Sequence, residues 1–141
     1  MIVSEGIFID TSPFIYLVEN NPHYYSRVSD FLVEEYAENK LAFYTSTITL
    51  AEFLVKPKIA NNLQAIKLFN ETLEKLNIIV LDINRDIAEL SAQLRSQYQF
   101  LKSLDAIQLA SAINSNCSLL FTNDKVFKRI PEIKTILVDE I

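Results

Sequence analysis

Ile7-Phe8-Ile9-Asp10-Thr11-Ser12-Pro13 is the stretch on which the fold turns. Three apolar residues end at an acid, and the Thr-Ser-Pro that follows offers a helix cap with proline at the first helical position. A strand therefore passes straight into a helix. That helix runs through Phe14, Ile15, Leu17 and Val18 until Asn20-Asn21-Pro22 stops it, and a second begins near Tyr24 with Val28, Phe31 and Leu32 on one face. Residues 41–45 are the second predicted strand. Ser46 or Thr49 can cap the segment 50–55, which Pro57 interrupts before a longer amphipathic helix through Leu63, Ile66, Phe69, Leu73 and Leu76. Residues 78–81 form a third strand. Asn84 caps a helix carrying Ile87, Leu90 and Leu94, and a further helix starts near Ser103 with Leu104, Ile107, Ala110 and Ile113. Residues 118–122 and 135–138 complete the strands. Short strands, apolar on both faces and separated by helices, predict a parallel sheet covered on both sides, a three-layer α/β architecture.

Composition narrows the choice. A chain of 141 residues with 50% hydrophobic content predicts one domain, 1–141, able to bury a core without disulfides or a structural metal. There is no repeat and no linker rich in glycine or serine. The single Cys117 can form neither an internal disulfide nor a zinc-binding pair, so a reducing cytoplasm is the expected compartment. Met1-Ile2-Val3-Ser4-Glu5 carries an acid instead of a basic stretch, and no apolar run approaches the ~20 residues that span a bilayer, which predicts neither secretion nor membrane insertion. With 13 basic and 18 acidic residues the formal net charge is -5, the wrong sign for gripping phosphates by bulk electrostatics. It weighs less against a phosphate-handling site whose acids are neutralised by divalent cations, because those ions invert the local potential. Gly6 is the only glycine, which removes the phosphate-cradling loops of nucleotide-binding α/β proteins. His23, the only histidine, lies in the Asn21-Pro22-His23 turn and reads as a solvated surface residue, so a serine or cysteine triad lacks its base. Cys117, just before an apolar strand, reads as a packing residue.

In an open parallel sheet, ligands sit beyond the carboxyl ends of the strands. Asp10 follows the first strand and Asp124 the fourth. Asp105 lies in the first turn of the helix opening at Ser103, and Glu52 follows the second strand within about two turns of helix. Each acid also has a plainer account. Asp10 can cap its own helix, Asp105 can complement a helix dipole, Asp124 can cap the segment 125–130, and Thr49-Leu50-Ala51-Glu52 matches a capping box. Asp82, which also follows an apolar strand, is read as a turn residue. The argument rests on the set. Carboxylates from separate elements that converge on one pocket repel unless a cation or shared protons hold them, and hard divalent cations want oxygen ligands. Apolar neighbours, Ile9, Leu104, Ala106 and Phe121, suggest a semi-buried pocket.

Four stretches now carry a resemblance: Phe8-Ile9-Asp10-Thr11-Ser12, Ile48-Thr49-Leu50-Ala51-Glu52, Leu104-Asp105-Ala106-Ile107-Gln108-Leu109-Ala110 and Leu120-Phe121-Thr122-Asn123-Asp124. In this order they resemble the PIN-domain family, in particular the VapC-type toxins of bacterial and archaeal toxin-antitoxin pairs, over essentially the whole chain. The resemblance implies a five-stranded parallel sheet of order 3-2-1-4-5. It implies that Asp10, Glu52, Asp105 and Asp124 are catalytic and bind magnesium or manganese, with Thr11, Ser12, Thr122 and Asn123 in support. It implies a metal-dependent endoribonuclease that leaves a 5'-phosphate and a 3'-hydroxyl, a small antitoxin partner, and a homodimer. Many members carry a further acid two residues beyond the last aspartate. Here that position is Val126, which leaves a full second metal position unsupported.

Lys56, Lys58, Lys102, Lys125, Lys128 and Arg129 are candidate helpers in holding RNA. Tyr16, Tyr24, Tyr25 and Phe31 are candidate dimer contacts. Two alternatives stand beside the toxin. One is a catalytically weak PIN module acting as an RNA-binding or assembly subunit, favoured by the acidic charge and Val126. The other is a phosphotransfer domain with Asp10 as acceptor, which lacks a second acid at Ser12.

Overall fold

β1 (Gly6–Ile9) is buried along its whole length. Its side chains alternate between two cores, as a strand in the middle layer requires. Phe8 packs with Ile87, Leu94, Leu109 and Leu120, whereas Ile7 and Ile9 pack with Phe14, Val28, Leu32 and Phe69. The first set belongs to α6 (Arg85–Gln97), α7 (Ser103–Asn114) and β4 (Cys117–Thr122); the second belongs to α1 (Thr11–Val18), α2 (Tyr25–Ala37) and α5 (Leu63–Lys75). With β2 (Ala42–Ser46), β3 (Ile79–Leu81) and β5 (Lys134–Leu137), β1 and β4 form one parallel sheet of order β3-β2-β1-β4-β5. This is the three-layer α/β architecture and strand order expected from the sequence. The coordinates are a computed structural model that describes residues 6–141. Met1–Glu5, expected to carry no export signal, lie outside the described residues. No described helix is long and apolar enough to cross a membrane.

Because the chain steps outward from β1 to β3 on one side and then returns to lay β4 against the other, β1 and β4 flank the switch point of the sheet. Their carboxyl ends meet there. Gly6 allows β1 to sit between its neighbours, for a Cβ at this position would lie 2.6 Å from the Tyr44 ring.

Two prolines sit deeper in their helices than expected. Thr11 opens α1 with Asp10 at the cap position, and Pro13 is third in the helix instead of first. Pro57 likewise is third in α4 (Val55–Ile59), and the break falls before it, at Leu54, after α3 (Thr47–Phe53). First-turn amides have no intrahelical acceptor, so a proline in the first turn forfeits no hydrogen bond. Glycine scarcity has its own consequence at the other helix ends. Asn20, Asn61, Asn77 and Asn116 take the left-handed conformation after α1, α4, α5 and α7, the role that glycine usually fills.

Of the aromatic residues expected at a dimer surface, Tyr16 stacks on Tyr24 and Phe31 packs on Phe121 within the molecule. Tyr25 is exposed, as are Val33 of α2 and Leu68 of α5.

Candidate metal centre

The β1–β4 ladder does not stop at the end of β1. The Asp10 amide donates to the Phe121 carbonyl at 2.9 Å, fixing the backbone of Asp10 beside Thr122. Its side chain makes no capping hydrogen bond to α1. Instead, the Thr122 hydroxyl donates to Asp10 Oδ2 at 2.8 Å and Gln108 Nε2 donates to Oδ1 at 3.2 Å. Burial pushes the Asp10 carboxyl above the ordinary range, the Thr122 hydroxyl, the nearby Thr11 amide dipole and Gln108 pull it back, and the charge of Asp124 raises it again.

Glu52 is not the acid of a capping box. Ser46 caps α3, accepting from the Ile48 amide at 3.1 Å, which leaves Glu52 free to receive the Thr11 hydroxyl at 2.8 Å. Asp105 stands in the first turn of α7, half-buried, with no hydrogen bond to its carboxylate among the described residues. Its carboxyl is pushed up to about 6, by burial first and then by the charges of Asp124, Asp10 and Glu52, with Lys102 opposing. Asp124 does have the expected capping role. Its Oδ1 accepts from the Val126 amide at 3.0 Å at the start of a 3-10 turn, Lys125–Arg129.

One open cavity of about 670 Å3 is lined by all four acids together with Thr11, Ser12, Asn123 and Lys125. Asp82 is exposed and does not line it. The supporting residues divide by task. Thr122 accepts from the Asp124 amide at 3.1 Å while donating to Asp10, so it links two acids directly. Ser12 accepts from the Asn123 amide at 3.1 Å, and Asn123 donates to the Tyr16 hydroxyl at 3.1 Å, which ties the end of β4 to α1. The apolar frame is partly as expected: Ile9, Ala106 and Phe121 are buried, but Leu104 is 45% exposed because it lies on the outer side of α7.

The donors are all hard oxygens and the cluster carries mutual repulsion, both of which fit a divalent cation. As placed, however, no three acidic or histidine side chains among the described residues converge closely enough to share one ion. Asp10 is fixed from both sides, so joint ligation takes rotation of Glu52, Asp105 and Asp124 toward it.

Few of the expected cationic helpers face this cavity. Lys56 pairs with Glu19 at 2.8 Å, Lys128 with Glu140 at 2.7 Å, and Arg129 lies 3.7 Å over the Phe100 ring. Lys125 lines the cavity and Lys102 acts electrostatically on Asp105; Lys58 is exposed. His23 is exposed, and Cys117 is buried with its thiol pushed up to about 11 by burial, in keeping with a packing role.

Gln108 is the residue that sequence reading passed over. It is 1% exposed and bonds Ser46, Thr49 and Asp10 at once. Its signal is positional: it stands three residues after Asp105, on the same face of the helix as that acid.

A family model described as PIN domain matches residues 7–133. No curated protein sequence matches the chain. Among solved structures, the chain is similar to VapBC2 of Rickettsia felis bound to promoter DNA, with a TM-score of 0.74 and 20% identity over 93% of this chain and 97% of that one. It is similar to a toxin-antitoxin complex from Klebsiella pneumoniae, with a TM-score of 0.68 and 27% identity over 97% and 100%. VapC20 of Mycobacterium tuberculosis, a toxin that cleaves the sarcin-ricin loop, aligns with a TM-score of 0.68 and 17% identity over 92% and 99%.

Proposed function

The chain belongs to the PIN-domain family, and from that premise we propose that it is a magnesium- or manganese-dependent endoribonuclease, the toxin of a toxin-antitoxin pair. One observation carries the metal-dependent part. Asp105 lines one cavity with Asp10, Glu52 and Asp124 and is driven up to about 6 by burial and by those three charges. Such a cluster suits a cation better than bulk water does. The toxin part is supported by the likeness to a Klebsiella toxin-antitoxin complex and to a toxin that cleaves the sarcin-ricin loop. A small antitoxin and a second copy of the chain are the partners this reading brings, and the cytoplasm is where it places them.

In this mechanism Asp10 is the fixed ligand, held by Thr122 and Gln108. Asp105, Glu52 and Asp124 are the adjustable ones, each attached to a different element. Val126, where many relatives carry another acid, packs against the core beneath α6 and α7, so the chain's own oxygens serve one ion more fully than two. An ion held by Asp10, Glu52, Asp105 and Asp124 would supply a water of lowered pKa and an offset to charge on the scissile phosphate. Lys125 lies on the cavity wall, where it can meet a neighbouring phosphate. Glu52 accepts from the Thr11 hydroxyl, which ties it to the first turn of α1 beside Asp10.

The second reading, a weakly catalytic module that binds RNA or assembles with partners, draws on Val126 and on the separation of the carboxylates. Purified protein incubated with total cellular RNA, with manganese and with chelator, separates the two. Manganese-dependent discrete cleavage supports the nuclease; RNA binding without cleavage supports the module. For the homodimer the contacts shift to Tyr25, Val33 and Leu68, which are exposed. Light scattering should report twice the 16.2 kDa of one chain, and a monomer at working concentration would remove the pairing.

A further inference from the structure

We infer that Gln108 is a positioning residue that holds the Asp10 carboxylate in one orientation and so pre-forms half of the metal site. The inference rests on the reading that Asp10 ligates a divalent cation. Its own support is the direction of each hydrogen bond in the buried network beneath that carboxylate.

Thr45 is fully buried, and its hydroxyl donates to the Ile9 carbonyl at 2.8 Å, since a carbonyl can only accept. The Thr45 and Thr49 hydroxyls lie 2.8 Å apart, so the hydrogen between them comes from Thr49. Thr49 therefore accepts from Gln108 Nε2, also at 2.8 Å. Ser46 accepts from the Ile48 amide and donates to Gln108 Oε1. One end of the Gln108 amide is thus an acceptor and the other a donor. Turning the amide over would set its oxygen against Asp10 Oδ1, acceptor facing acceptor. The second Nε2 hydrogen has one remaining partner, Asp10 Oδ1 at 3.2 Å. Thr122, which receives the Asp124 amide, donates to Oδ2 from the other side. Both Asp10 oxygens accept, both donors are themselves held, and the carboxylate keeps its outward lone pairs toward the cavity.

A buried glutamine that merely fills space would affect stability alone. A positioning residue affects ion affinity as well, because outer partners of metal ligands typically govern about 10-fold to 100-fold of it. The test uses manganese binding by titration calorimetry and a metal-free spectrum. In Gln108→Met, which keeps the length of the side chain and loses both donors, we expect manganese affinity to fall by about 10-fold or more. Ser111→Ala is the control: Ser111 is fully buried on the same helix, and its hydroxyl donates only to the Ile107 carbonyl at 2.8 Å. It should lose stability and keep affinity. Thr49→Val, near-isosteric, frees one Nε2 hydrogen and should weaken binding in the same direction, which covers the case that Gln108→Met does not fold. Without metal, the Gln108 side-chain amide signal in a nitrogen-proton correlation spectrum should move in Asp10→Asn and stay put in Asp82→Asn. Unchanged affinity in the folded Gln108 and Thr49 variants, an equal loss in Ser111→Ala, or an amide signal indifferent to Asp10 each overturns the inference. A parent protein that takes up no manganese overturns the metal reading itself, and is told apart because the variants then have no affinity to lose.

Discussion

Asp10 and Asp105 carry the same charge on different supports, and their amides should behave differently. Asp10 accepts on both oxygens from donors that are already committed. In Asp10→Asn one of those donors faces an NH2 group, a mismatch that offsets the relief of repulsion. Asp105 has no such partners, and its carboxyl sits at about 6 against 3.8 for the ordinary group. The sign follows from proton binding. Between those values the folded state holds more protons than the unfolded one, so this group makes stability fall as pH rises, with the full penalty above the folded value. Asp105→Asn removes that penalty. We expect it to melt higher than the parent at about pH 7 in chelator and level with it at about pH 4, whereas Asp10→Asn should not gain. A constant difference between parent and Asp105→Asn across that range would count against the crowded site. Both variants should lose at least about 100-fold in manganese-dependent cleavage, and Asp82→Asn, exposed and off the cavity, should cleave like the parent. That the four acids share one cavity was legible, because Asp10, Asp105 and Asp124 stand at strand ends or helix starts and Glu52 lies within two turns of helix after β2. Gln108 was not, since a glutamine inside Ile107-Gln108-Leu109 looks like any solvated helix position until the neighbouring elements are in place.

At the scale of elements, caps and ligands overlap, and one acid serves as both. Asp124 holds the Val126 amide at the start of its 3-10 turn and also faces the cavity. Asn84 only caps, accepting from the Ile87 amide at 2.9 Å at the start of α6. Asn84→Ala should therefore cost about 1 kcal/mol of unfolding free energy and leave cleavage unchanged. Asp124→Asn should do the reverse, because asparagine caps as well as aspartate but removes a charged ligand. Urea denaturation and RNA cleavage on the same preparations check both; a cleavage loss in Asn84→Ala would mean that loosening α6 disturbs the site through α7, against which it packs. Strand identity and order were readable from apolar runs and cap residues, and each of the five strands has bounds displaced by a single residue from those expected. The error at Thr11-Ser12-Pro13 and Pro57 has one source. A proline marks a first turn without saying which of its positions it occupies, because none of the early amides has an intrahelical acceptor.

For the whole molecule, the acids matter as a field. The chain carries -5 overall, and four of its 18 acids share the cavity where β1 and β4 meet, so folding brings together charges that the unfolded chain keeps apart. Any ion that binds the folded cluster and not the open chain must stabilise the fold by mass action, by about 2.7 kcal/mol at a free concentration a hundredfold above its dissociation constant. For a domain of this size that is a rise in melting temperature on the order of 10 °C. General screening of a negative surface also stabilises, but it depends on ionic strength and not on the identity of the cation. We therefore expect manganese or magnesium to raise the melting temperature saturably, and sodium chloride at matched ionic strength to raise it little. The shift should vanish in Asp10→Asn, where the fixed ligand loses its charge, and persist in Asp82→Asn, which changes net charge equally. Differential scanning fluorimetry over a titration of each salt reads all of these at once. A shift that follows ionic strength alone, or one that survives unchanged in Asp10→Asn, would reassign the effect from a shared cation site to the overall charge of the molecule.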